Sequence, residues 1–280
     1  MTAGARVLIV NADDYGLTRR VSQGILRAHR HGIVTSTSVL AVAPAFAASV
    51  AWLADEPKLG VGAHLAAVGE DPPLLSAAEI PSLVDRRGRL AASWRQFLPR
   101  AAAGRIDPSD LAAEFSAQVE AIAESGVGLT HLDTHQHLHL WPGVRSVVLD
   151  MAEALGVALR VTRSAARSPV GVVVRRLSTR LEAECRRRTI PFPAAAAGLD
   201  EAGALDGPTL LGAIRRLAAA PASSAELGSH PGAGDDPDRS RYRWNYHWEE
   251  ELEALTSPLA RRAVRDAGFV LGTYADLMSS

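Results

Sequence analysis

The sequence is poor in cysteine, in lysine, in aromatic residues and in net charge. Cys185 is the only cysteine, so no intramolecular disulfide can form. That excludes a disulfide-stapled secreted scaffold and fits a reducing cytoplasm. The formal net charge is −1, which gives no basic field for nucleic acid. No segment approaches the roughly 18 uninterrupted apolar residues of a membrane span. The first residues run into an apolar segment at 6–11 without the longer apolar core and cleavage site of a signal peptide. A cytoplasmic location is therefore expected. Lys58 is the lone lysine, and arginine and alanine are abundant. Both biases are read as genome composition and carry no functional inference.

What remains is an ordinary globular composition, 47% hydrophobic and 22% charged over 280 residues. That length supplies a core needing no disulfide or metal staple, and a single domain over 1–280 is expected. Short apolar strand-like runs alternate with helical patterns. Strands are predicted at 6–12, 34–42, 60–65, 129–134, 158–161, 225–229 and 269–274. Helices are predicted near 19–31, 44–55, 108–125, 142–155, 171–187, 208–219 and 247–267. Asp107 before Pro108 reads as an N-cap with proline at N1, and Gly126 and Gly156 stand where left-handed C-caps are wanted. This alternation predicts an α/β fold with a parallel sheet under helices. About seven strand–helix units favour a distorted (β/α) barrel over a doubly wound sheet, though periodicity leaves both open. Two segments break the rhythm. Residues 66–106 are weakly periodic, and the Arg-, Pro- and Ala-rich 163–206 reads as an insertion or lid.

Four polar clusters stand at the C-terminal ends of predicted strands. Asn11-Ala12-Asp13-Asp14-Tyr15-Gly16 sets two adjacent carboxylates before a glycine turn. An isolated Asp-Asp is most often a solvated turn. Neighbouring side chains on a strand point opposite ways, so the two acids can act together only where the strand opens into its loop. Gly62-Ala63-His64-Leu65 ends another strand, and a lone histidine there is usually structural. In His131-Leu132-Asp133-Thr134-His135-Gln136-His137-Leu138-His139, four histidines occupy alternate positions. On a continuous strand they and Asp133 would share one face, which is costly without a metal or a barrel mouth to receive them. Glu226-Leu227-Gly228-Ser229-His230-Pro231-Gly232 ends a further strand in a histidine. In (β/α) barrels that end carries the active site, and this shared location argues for an enzyme.

The set Asn-Ala-Asp-Asp-Tyr-Gly-Leu-Thr (11–18), Gly-Ile-Val-Thr-Ser-Thr (32–37), Gly-Ala-His-Leu (62–65), Thr-His-Leu-Asp-Thr-His-Gln-His (130–137) and His-Pro-Gly (230–232) resembles the YdjC/ChbG carbohydrate deacetylases. The matches keep family order over nearly the whole chain. The resemblance implies a distorted barrel related to polysaccharide deacetylases and removal of an acetyl group from an N-acetylated sugar. It implies one divalent metal on Asp14, His64 and His135, with Asp13 as general base, His230 as general acid and Arg160 orienting or charge-balancing Asp13. The resemblance points to Mg²⁺, whereas two imidazoles favour Zn²⁺ by ligand type. His131, His137, His139 and Asp133 are then surplus, available to orient ligands or simply to pack. Ala66 and Ala67 follow the motif histidine where the chitobiose enzymes usually carry a polar residue. Residues 66–90 and 242–248 are more similar to the hopanoid-associated branch, so an oligosaccharide and a glycolipid both stand as substrates.

Tyr242, Trp244, Tyr246 and Trp248 alternate before the last helix and suit either sugar stacking or core burial. Arg167, Arg175, Arg176, Arg180, Arg186, Arg187 and Arg188 lie beside Val172, Val173 and Val174. Such a stretch is more often a solvated helix face than a membrane contact. A homo-oligomer is compatible with the chain, though no pattern calls for one. A metal hydrolase of a non-sugar amide or ester, and a non-catalytic sugar-binding barrel, are the competing readings. The second is disfavoured because a binding module needs no carboxylate base beside a metal.

Overall fold

The computed structural model describes residues 6–278. Its first half holds β1 (Arg6–Tyr15), α1 (Arg19–His31), β2 (Ser36–Val39), α2 (Phe46–Ser49), β3 (Gly60–Leu65), α3 (Trp94–Ala102), α4 (Pro108–Glu124) and β4 (His131–Thr134). The second half holds α5 (Pro142–Leu155), β5 (Ala158–Leu159), α6 (Pro169–Arg188), β6 (Ala195–Ala197), α7 (Gly207–Ala219), β7 (Ser224–Ser229), α8 (Trp248–Thr256), α9 (Pro258–Asp266), β8 (Phe269–Gly272) and α10 (Ala275–Met278). The strands follow the order β5-β4-β3-β2-β1-β7-β6, and β8 pairs with the first half of β1. Every ladder is parallel. Their C-terminal ends therefore gather on one side.

The sheet curls. Ile9 of β1 packs with Ala158 of β5 and Tyr274, although three strands separate β1 from β5 along the ladder. Meanwhile Leu8, Val10 and Ala12 face the main core under the helices. A central parallel strand is thus apolar on both faces, as helices outside and a filled barrel inside require. The barrel is incomplete. Its end strands β5 and β6 share no ladder among the described residues; Leu159 N instead donates to Pro191 O (2.9 Å), four residues before β6. The expected distorted barrel is observed with one exchange of strands: β6, not predicted, completes the seven-strand path, and the predicted strand at 269–274 is β8, which pairs beside it with β1.

Where the sequence expectations fail, local chemistry says why. The helix predicted over 247–267 is two helices, because Ser257 caps α9 by accepting from Ala260 N and Pro258 sits at its first turn. Helix α3 was hidden in the weakly periodic 66–106. The segment 163–206 is not a pure insertion: β6 joins the sheet by pairing with β7, while α6 flanks the cleft. The predicted caps hold. Asp107 accepts from Ser109 N, and Gly156 takes the left-handed conformation. No helix among the described residues is long and apolar enough to cross a membrane.

Helix α1 lies close against the turn that follows β7. A Cβ on Gly24 would lie 2.5 Å from Gly232 Cα, so only glycine permits this approach. Gly24→Ala is predicted to destabilise the protein by about 1–3 kcal/mol through overpacking. At about 2–4 °C per kcal/mol, thermal unfolding followed by circular dichroism reads the loss directly. An unchanged midpoint would mean that the turn shifts freely.

Candidate functional site

The strand ends bring five polar side chains to one cleft of about 950 Å³: Asp13, Asp14, His64, His135 and His230. Each arrives by a different local device. Asp14 has φ 67°, and the β1–β2 register is irregular between Ala12 and Tyr15. A strand in regular alternation would send Asp13 and Asp14 to opposite faces. The left-handed residue cancels the alternation, so both carboxylates line the cleft.

His64 and Asp133 are register partners on β3 and β4. Their side chains meet directly, with His64 Nδ1 2.6 Å from Asp133 Oδ1. That contact turns His64 Nε2 toward Asp14 Oδ1, 3.6 Å away. His131 is the register partner of Gly62, and its ring lies across that glycine to reach Ser38 Oγ at 3.1 Å. A Cβ at Gly62 would stand 2.3 Å from His131 Nε2, so the glycine makes room for the ring. Tyr274 stacks on the other side at 3.8 Å.

The histidine run does not continue as a strand. β4 ends at Thr134, and Gln136 and His137 both adopt left-handed backbone (φ 53° and 54°). The shared face anticipated for His131, Asp133, His135, His137 and His139 is therefore broken after Thr134. His135 swings into the cleft, where its Nδ1 lies 3.3 Å from His64 Nε2 and 3.4 Å from Asp14 Oδ1. His137 meets Thr162 Oγ1 at 3.1 Å, and His139 turns back to Thr134 Oγ1 at 2.8 Å. Burial pushes both His131 and His139 down to about 3, so they stay neutral and structural.

Asp14 Oδ1, His64 Nε2 and His135 Nδ1 thus form a triangle with edges of 3.3–3.6 Å. Ligands about 2.1 Å from one tetrahedral ion are separated by about 3.4 Å, so the triangle fits a divalent cation. Charge supports the same fit. Burial pushes the carboxyls of Asp13, Asp14 and Asp133 up, but neighbouring cationic groups win and hold all three below the usual range. Arg160 alone cannot balance them. Three carboxylates against one guanidinium leave two surplus negative charges. Without a metal, His64 absorbs part of this surplus: burial opposes its protonation, yet Asp133 and its neighbours raise it to about 9. Asp14 Oδ1 is buried and accepts no hydrogen bond among the described residues. A lone pair left this way is what a metal ligand requires.

Arg160 follows β5 and is buried. Its Nη1 donates to Asp13 Oδ2 (2.8 Å) and its Nη2 to Asp13 Oδ1 (2.7 Å). Asn11 Nδ2 adds a bond to Asp13 Oδ1 at 2.7 Å. His230 Nε2 lies 3.7 Å from Asp13 Oδ2. The turn carrying His230 is pinned by Glu251 of α8, which accepts from His230 N at 2.6 Å. Of the alternating aromatics, Tyr242 and Trp248 are buried packing residues. Trp244 and Tyr246 line the cleft, their rings 5.3 Å from His135 and 4.8 Å from His230. Trp244 Nε1 donates to Glu70 Oε1 (2.9 Å), which fixes its plane.

The sequence reading assigned no role to Ser38, Asn11, Glu251 and, above all, Glu226, which accepts from Arg160 Nε at 2.7 Å. Glu226 was legible in principle: a carboxylate inside an otherwise uncharged strand needs a partner. The cleft walls supplied by Trp94 and Trp141 had no sequence signal.

With this geometry in hand, comparison with known proteins is direct. The sequence pattern of the family described as YdjC-like protein matches residues 7–266. A chitooligosaccharide deacetylase from Klebsiella pneumoniae (strain 342) is 33% identical over 274 residues, 97% of this chain and 99% of the relative. A crystal structure from Enterococcus faecalis V583, provisionally described as a cellobiose-phosphate cleavage protein, superposes with a TM-score of 0.82. It is 26% identical and covers 98% of this chain and 99% of that one. The Xyl-CE4 domain of a multidomain xylanase from the hindgut metagenome of Trinervitermes trinervoides shares the fold alone. Its TM-score is 0.50 at 11% identity, over 98% of this chain and 90% of that one. Matched along almost its full length, with the strand-end clusters gathered in one cleft, the chain belongs to the YdjC-like protein family.

Proposed function

We propose that this protein is a metal-dependent carbohydrate N-deacetylase, which hydrolyses the acetamide of an N-acetylated sugar to acetate and a free amine. The observation that carries the reading is the Asp14, His64 and His135 triangle beside a carboxylate, Asp13, that Arg160 keeps ionised. The deacetylase relative of near-equal length supports the same chemistry.

Asp14, His64 and His135 would hold the ion, and Asp133 would orient His64 through Nδ1. When bound, a divalent cation supplies the Lewis acidity that polarises the acetyl carbonyl and acidifies water. Asp13 accepts the proton of the attacking water. Its tie to Arg160 makes it a weak base but a reliably ionised one. His230 then delivers a proton to the leaving nitrogen as the C–N bond breaks. Acid–base assistance of this kind contributes about 10²–10⁴-fold. Two imidazoles and one carboxylate suit zinc and its transition-metal neighbours better than magnesium.

Trp244 and Tyr246 offer ring faces for a pyranose close to the reacting centre. Farther out, Val170 and Val173 of α6 line the same cleft while 57% and 53% exposed. That apolar rim suits the aglycone of a glycolipid as well as the next sugar of an oligosaccharide.

Acetate release measured over chitooligosaccharides, N-acetylglucosaminyl lipids and acetylated small metabolites, with and without chelator, tests the assignment. Chelator-sensitive release from a sugar substrate is expected. Release from non-sugar amides alone would reassign the substrate, and no release from any compound would favour a binding protein. Asp13→Asn is expected to retain one equivalent of zinc by calorimetry while kcat falls about 10²–10⁴-fold. His135→Ala should lose both metal and turnover. Near-native turnover in Asp13→Asn would remove Asp13 as the base. Asp133→Asn should weaken metal affinity by about 10–100-fold, read in the same titration. Trp244→Ala should raise KM and leave metal content intact; an unchanged KM would remove Trp244 from sugar contact.

A further inference from the structure

Glu226 is buried on β7, two residues short of the cluster's glycine and on the face that looks into the barrel toward Arg160. Nothing in the chemistry above requires it. Its cost is evident: burial pushes its carboxyl up to about 7, and the Arg160 guanidinium only partly offsets that. Asp13 and Asp133 already crowd the same guanidinium with negative charge. A third carboxylate in that place is poor economy for stability alone, since an apolar side chain of similar volume would remove a buried charge.

The contacts of Arg160 show what Glu226 does. Its Nε donates to Glu226 Oε1 at 2.7 Å, and its Nη1 and Nη2 both donate to Asp13. Nη1 also forms an ion pair with Asp133 Oδ2 at 2.5 Å. A guanidinium is planar, so fixing the direction of the Nε–H bond fixes where both terminal nitrogens point. Asp13 lies on β1 and Asp133 on β4, with β2 and β3 between them in the sheet. One orientation of the plane serves both. Asp133 in turn holds His64. Tilting the guanidinium would therefore disturb the carboxylate beside the cleft and the support of a candidate metal ligand at once.

We propose that Glu226 is a positioning residue: by accepting from Arg160 Nε, it locks the guanidinium plane in the single orientation that engages Asp13 and Asp133 together. This rests on the deacetylase reading for its kinetic consequences, but not for its structural ones. The lock needs an acceptor oxygen of the right reach. Glu226→Gln keeps that acceptor, Glu226→Asp withdraws it by one methylene, and Glu226→Leu removes it.

In ¹⁵N-labelled protein the buried Arg160 Nε–H is expected to give a slowly exchanging resonance, assigned by its absence in Arg160→Lys. It should persist in Glu226→Gln, and shift and exchange faster in Glu226→Asp and Glu226→Leu. This readout needs neither metal nor turnover, so it stands even if no acetylated sugar is hydrolysed. Where turnover is measurable, Glu226→Leu should lower kcat by about 10²-fold with KM and zinc stoichiometry unchanged, as for a displaced reacting group. Glu226→Gln should stay within about threefold of wild type because the hydrogen bond survives. In an Arg160→Lys background, Glu226→Leu should cost nothing further, because both changes break one unit. If Glu226→Leu does not fold, Glu226→Asp carries the same comparison. An unmoved Arg160 resonance in Glu226→Leu or Glu226→Asp would overturn the proposal. So would additive losses with Arg160→Lys, or a Glu226→Gln as impaired as Glu226→Leu.

Discussion

One guanidinium holds together a buried layer of charge that would otherwise repel itself. Arg160 reaches across the barrel interior to Asp13 on β1, Asp133 on β4 and Glu226 on β7. β1 and β7 are neighbours in the sheet, but β4 lies beyond β2 and β3, and Asp133 meets the other two only because the sheet curls. The barrel interior is accordingly layered. Ile9, Ala158 and Tyr274 make an apolar floor, and the polar residues lie toward the C-terminal ends of the strands. In a dry interior such an assembly survives only if its charges are matched and its lone pairs used. The surplus negative charge left after Arg160 fits the proposed divalent cation.

Backbone irregularity performs the second half of the work. Regular strands would have presented Asp13 without Asp14, and would have stacked His135, His137 and His139 on one face. Left-handed conformations at Asp14, Gln136 and His137 break both patterns at the strand ends. Non-glycine residues in that region are uncommon and somewhat strained, and they concentrate where function demands a particular side-chain direction. Three of the six described non-glycine residues with positive φ stand at the cleft: Asp14 is a proposed ligand, and Gln136 and His137 directly follow another, His135.

This division also explains what the sequence could reveal. Alternation of apolar runs and helical periods announced a parallel sheet, and the polar clusters announced which ends of the strands matter. The helix break at Pro258 was readable from its serine cap and was missed by following the apolar period across it. Strand β6 is three alanines, Ala195–Ala197, with no β-propensity to advertise it, so its membership in the sheet is set by its neighbours. Asp14, His64 and His135 are brought together by motif resemblance in the sequence and by a triangle in space. Asn11 stands inside a motif without a role to mark it, Ser38 lies just outside one, and Glu226 was marked only as a lone carboxylate in its strand. Their roles arise from register and curl, which place Ser38, Gly62 and His131 in one row and carry Glu226 to Arg160.

The central claim is that three separate strand ends grip a single cation beside Asp13. Anomalous diffraction from crystals of the full chain equilibrated with zinc tests it most directly. The account predicts one strong peak within coordination distance of Asp14 Oδ1, His64 Nε2 and His135 Nδ1, with Asp13 still paired to Arg160. A crystal in which zinc binds elsewhere, or in which those three atoms move apart without sharing an ion, would contradict it.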